Sequence, residues 1–115
     1  MTKRIEQTKI MHRVVEHGGV VYLGGITADD TSVGMGGQTS QICAKIDKLL
    51  ALAGSDKTRI LSAQIFITDM SLKGEMNDAW TAWMPAEHLP ARATVGVADL
   101  GTPTTLIEIV VTAHS

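Results

Sequence analysis

The sequence predicts an α+β fold, with two helices packed on one face of a mixed β-sheet in the order βββαβαββ. Three observations carry this expectation. Two amphipathic stretches, around Ile42–Ala53 and Leu72–Trp83, repeat their apolar residues at helical spacing and stand well apart. β-branched runs precede, separate and follow them. The last run, Thr105–Ala113, is apolar on both alternating faces, more than two helices on one side can cover.

Taken in order, Ile5–Thr8 reads as a short first strand. Arg13–Glu16 and Val20–Leu23 flank His17-Gly18-Gly19, where paired glycines suit a tight hairpin. Gly24-Gly25 ends the second run or admits another backbone or ligand. Ala28–Gly37, rich in Asp, Thr, Ser and Gly, reads as a loop. In the first helix Ile42, Ile46, Leu49, Leu50 and Ala53 share a face, opposite Lys45, Asp47 and Lys48, and Gly54 follows as its cap. Arg59–Thr68 reads as a strand with Leu61, Ala63, Ile65 and Ile67 on one face. Asp69 or Ser71 can cap the second helix, whose stripe is Leu72, Met76, Ala79, Trp80 and Trp83. Pro85 ends that helix by disfavouring helical geometry at Met84. A strand begins near Arg92, Asp99–Thr104 turns, and Thr105–Ala113 closes the chain.

With 115 residues, 44% hydrophobic and 19% charged, the chain suits one compact domain over 1–115. A net charge of −2 gives no pull towards nucleic acid or anionic membrane. The lone Cys43 excludes an internal disulfide and fits a reducing compartment. With neither a signal peptide nor a membrane span, a cytoplasmic protein is expected.

Two residues stand out chemically. Arg92, in Pro90-Ala91-Arg92-Ala93-Thr94-Val95-Gly96, offers a planar fork that matches a carboxylate or phosphate. Glu108 is the one acid in the apolar run Leu106–Val111, where it must be paired, exposed at an edge, or held with a shifted pKa. If their strands are neighbours, the two form the ends of a small anion-binding, water-activating pocket; a structural salt bridge is the equal alternative. Asn77 lies beside the stripe of the second helix and can brace a neighbouring strand by hydrogen bonding. Gly34-Met35-Gly36-Gly37 lacks the lysine of a phosphate loop and reads as a flexible loop into a helix. His12, His17, His88 and His114 lack zinc-type spacing, so no metal is expected.

The chain resembles the reactive-intermediate (imine/enamine) deaminases, the RidA-like family. The resemblance rests on Gly18–Gly25, Leu52–Asp56, Phe66–Met70, Met76–Trp80, Pro90–Val95 and Leu106–Ile109, in order from about His12 to Ala113. It implies a chorismate-mutase-like fold, and a homotrimer with central packed sheets and sites between subunits. It further implies hydrolysis of 2-imino or 2-enamino acids, such as 2-aminoacrylate, to 2-keto acids and ammonia, without cofactor. Arg92 would bind the substrate carboxylate, Glu108 would position water, and Asn77, Gly24 and Thr94 would line the ligand. The family often has serine at Gly24, tyrosine near Met11 and cysteine at Thr94; glycine and methionine imply a roomier, less polar wall. The alternative is a non-catalytic trimeric binder of small carboxylate metabolites. A ribonuclease ranks last, because there is no basic stripe and only one Phe and one Tyr.

Overall fold

A computed structural model describes residues 1–115. The elements are β1 (Thr2–Gln7), β2 (His12–His17), β3 (Val20–Leu23), α1 (Met35–Leu52), β4 (Ile60–Ile67), α2 (Lys73–Trp83), β5 (Ala91–Gly96) and β6 (Ile107–His114). They follow the expected order and make one six-stranded sheet, β1-β2-β3-β6-β4-β5. β4 and β5 pair in parallel across the α2 connection; every other pairing is antiparallel. Both helices lie on one face, giving the chorismate-mutase-like α+β arrangement.

Local chemistry explains the boundaries. The β2–β3 hairpin closes on Gly18 and Gly19 at φ 59° and 82°, so both central residues are left-handed, as a two-residue type I′ loop requires. α1 ends in a Schellman motif: the Gly54 amide donates to Ala51 O at 3.0 Å and the Ser55 amide to Leu50 O at 2.9 Å. Asp69 accepts from the Ser71 amide at 3.0 Å and opens the short turn that leads into α2. Met84, before Pro85, is extended at ψ 130° and stops the helix.

The core lies between the helices and one face of the sheet. Met35, Ile42, Ile46 and Leu50 of α1 and Met76 and Trp80 of α2 pack on Val14, Val21, Ala63, Ile65, Ile67, Ile107, Ile109 and Val111. Burying one such aliphatic side chain stabilises the fold by about 1.5–3 kcal/mol. The opposite, open face carries Val15, Tyr22, Phe66, Glu108, Val110 and Val95 and has no layer of this chain over it. Tyr22 and Val95 remain 50% and 43% exposed there.

Four expectations need correction. The first strand starts at Thr2 and ends before Thr8. α1 begins at Met35, so Gly36 and Gly37 form its first turn and not a loop. Met35 (1% exposed), Gln38 and Thr39 (both 0%) continue the buried stripe one turn further, and that burial overrides the poor helix propensity of glycine. In β4 the register shifts between Ile60 and Ser62. That bulge turns Ile60 into the core and leaves Leu61 50% exposed. β6 begins at Ile107, because the Leu106 amide donates to the Gln38 side chain instead, at 3.0 Å.

Candidate active site on two faces of the sheet

Arg92 sits on the helix side of edge strand β5. It pairs with Ala63, whose side chain is buried under the helices. From there the guanidinium reaches α2: Nη2 donates to Asn77 Oδ1 at 2.7 Å, and Nη1 lies 3.9 Å from Met76 Sδ. The charged carbon stands 5.6 Å from the centre of the Trp80 ring, within range of a cation–π contact. Asn77 and Trp80 are one helical turn apart, so α2 offers both from one side. Thr94, two residues along, faces the same way beside Ile65. The resulting shallow cleft, about 350 Å³, is lined by Asn77, Trp80, Thr81, Leu89, Pro90 and Arg92.

Arg92 belongs to no ion pair. The ion pairs of the chain are Lys45–Asp29 at 2.9 Å and Arg59–Asp56 at 3.6 Å. The structural salt bridge to Glu108 is therefore absent. What remains is an exposed cationic fork, held from behind by a neutral amide oxygen and an aromatic face.

Glu108 is on the other side. It lies between Ile107 and Ile109, which are both fully buried under the helices, so its own side chain points to the open face. Its cross-strand neighbour is Phe66. Beside it runs the end of β3. Tyr22 pairs with Thr112 and Ile26 bridges Ile109. Four steps on one strand thus oppose three on the other, which defines a one-residue bulge between Leu23 and Ile26. Leu23 and Ile26 are both buried, so Gly24 and Gly25 both turn to the open side. The Met11 sulfur lies 3.1 Å from where a Gly24 side chain would begin. The wall expected to be roomier is therefore filled there by Met11.

The pocket expected from neighbouring strands does not form within one chain. β4 lies between β5 and β6. Arg92 and Val111 both pair with Ala63, and Glu108 is three residues from Val111. Two strand spacings of about 4.8 Å and three residues of about 3.3 Å separate their Cα atoms by roughly 14 Å. They also point to opposite faces. Arg92 and Asn77 share the cleft on the helix side, with Thr94 facing the same way two residues along; Glu108 and Gly24 both turn to the open side.

Two contributors were not assigned from sequence. Trp80 is 3% exposed and serves the core, as its position on the stripe indicated, but its ring also supports Arg92. Its spacing three residues after Asn77 was the available signal. Gln38 is fully buried: Nε2 donates to Val33 O at 3.0 Å and Thr104 O at 2.9 Å, while Oε1 accepts from Leu106. It ties the loop before α1 to the segment that enters β6 and carries Glu108. A glutamine on an apolar stripe was the signal there.

Comparisons with known proteins agree with this architecture. Residues 1–115 match the family described as Endoribonuclease L-PSP. A RutC family protein of Haemophilus ducreyi is 37% identical over 113 residues, covering 98% of this chain and 96% of that protein. RutC family protein YoaB of Escherichia coli is 36% identical over 110 residues, with 96% and 95% covered. Among solved structures, a YjgF family member from Neisseria meningitidis superposes with TM-score 0.94 at 34% identity, covering 100% of this chain and 95% of that one. A member of the conserved Rid protein family from Yersinia pestis gives TM-score 0.91 at 27% identity, with both chains covered in full. The chain thus belongs to the L-PSP family, the RidA-like group to which the RutC, YjgF and Rid relatives also belong.

Proposed function

We propose that this protein hydrolyses reactive 2-imino and 2-enamino acids to 2-keto acids and ammonia, a role in metabolite damage control. The observation that carries the reading is Arg92: an exposed guanidinium with no carboxylate of its own, braced by Asn77 and Trp80. Such a fork binds a planar carboxylate through two parallel hydrogen bonds. A 2-enamino acid such as 2-aminoacrylate gains a proton on its terminal carbon and becomes the iminium, which is already electrophilic at C2. Water adds to C2, forming a C–O bond as the C=N π electrons move to nitrogen. A proton passes from the oxygen to the amine, the C–N bond breaks, and the keto acid and ammonia leave. Glu108 serves as the acceptor that orients the attacking water and takes its proton.

Since Arg92 and Glu108 face opposite ways in one chain, a complete site needs the Arg92 wall of one copy against the Glu108 wall of another. A homotrimer whose open faces pack centrally supplies this arrangement and covers Tyr22, Val95 and Val110. A second reading, a non-catalytic trimeric binder of small carboxylates, is favoured by the apolar Met11 over Gly24.

The test is pyruvate release from 2-aminoacrylate generated in place by a pyridoxal-phosphate-dependent dehydratase. Acceleration is expected, with kcat/KM falling about a hundredfold in Arg92→Ala, consistent with losing a charge-assisted bidentate contact of about 3 kcal/mol. The melting temperature should barely change. No acceleration with this or bulkier imines, together with thermal protection by small carboxylates, would leave the binder.

A further inference from the structure

Gly25 has no conformational reason to be glycine. Its φ lies outside the left-handed region, unlike those of Gly18, Gly19, Gly54 and Gly101. Its reason is a neighbour. A methyl placed on Gly25 would stand 2.9 Å from the carboxyl carbon of Glu108 and 3.4 Å from its Cγ, closer still to Oε2. Carbon atoms at rest approach only to about 3.5–4.0 Å, so the methyl and the carboxylate cannot share that place. Gly24 differs. A methyl there crowds the free end of Met11, a side chain with three rotatable bonds that can withdraw, and makes an ordinary 3.8 Å contact with the His12 carbonyl.

We propose that Gly25 is a positioning residue for Glu108. Its missing side chain is the seat on which the carboxylate lies, and the one-residue bulge turns that seat to the open face. Without the bulge, strand alternation would aim residue 25 away from Glu108. The missing side chain thus leaves the space in which the carboxylate, and any water it orients, stands. The proposal rests on the reading of Glu108 as the water-orienting group.

The experiment compares the full-length wild type with Gly25→Ala, by crystal structure and by steady-state kinetics on 2-aminoacrylate. The carboxylate of Glu108 is expected to move by an ångström or more in the variant. A displacement of that size costs on the order of a hundredfold in rate, and it should appear in kcat with KM kept within about twofold, because the Arg92 wall is untouched. A purely structural defect would not separate kcat from KM in this way. A carboxylate left in its wild-type place, or a wild-type kcat despite its movement, would overturn the proposal. If Gly25→Ala does not fold, Gly25→Ala/Glu108→Ala decides: recovery of folding supports the seat, and continued failure overturns it. If the wild type turns over no imine, the proposed function fails. The crystallographic comparison then still decides whether Gly25 seats Glu108.

Discussion

Arg92 is organised by contacts that leave its charge free. Asn77 and Trp80 orient the guanidinium without neutralising it, so its charge stays available to the carboxylate ligand we propose. Asn77→Ala should therefore raise KM about tenfold, the equivalent of one hydrogen bond to a charged group, with little change in kcat. Gln38 is a different case. Its side chain donates to the Val33 and Thr104 carbonyls and, at a longer 3.4 Å, to that of Thr31, and accepts from the Leu106 amide. Gln38→Leu leaves those groups unpaired and should destabilise the protein by about 2–4 kcal/mol in urea denaturation. Cys43, 2% exposed, has its thiol pushed up to about 12, chiefly by burial. It should resist a thiol-specific disulfide reagent at neutral pH and react once the protein is unfolded. Arg92 and Glu108 could be singled out in the sequence because each is a charge in an apolar run, and Asn77 because it lies beside the apolar stripe of its helix. Gly25 could not, because its role lies in what its backbone leaves room for.

At the scale of elements, the sequence signals were strongest where backbone chemistry is local. The Gly18-Gly19 turn, the Gly54 cap and the Pro85 stop lie where their residues indicate. Asp69 instead caps the short turn Met70–Leu72 and not α2 itself, whose N-cap Leu72 has no side-chain bond. The other misses share one cause: long-range packing decided them. Burial of Met35 and Gln38 carried α1 through two glycines, and the bulge at Leu61 reversed the inward face at the start of β4. Hydrogen bonds from the Ser71 hydroxyl and amide hold the Asp69 carboxyl below its ordinary value of 3.8. A lowered carboxyl pKa stabilises the folded chain above the ordinary value, and the contribution fades as pH falls through the lowered one. Asp69→Asn keeps an acceptor that does not titrate. Its melting temperature should accordingly fall less than that of the wild type between about pH 6 and about pH 3.

At the scale of the molecule, the open face and the divided site point to the same arrangement. The apolar open face needs covering, and Arg92 needs an acid-bearing wall that its own chain turns away from it. The doubly apolar final strand is the sequence feature behind the oligomer we propose. The division of the site was not legible in the sequence, because it depends on β4 lying between β5 and β6. Val110→Lys places an unpaired charge in the proposed interface and should dissociate the assembly in size-exclusion chromatography with light scattering.

The most direct measurement is complementation between two inactive variants, Arg92→Ala and Glu108→Ala, unfolded together in equal amounts and refolded. If each site takes Arg92 from one copy and Glu108 from its neighbour, about a quarter of the interfaces in a random head-to-tail mixture are intact. Turnover of 2-aminoacrylate should then return to about that fraction of wild type, although each variant refolded alone stays inactive. A mixture that stays as inactive as its components would contradict a site shared between copies.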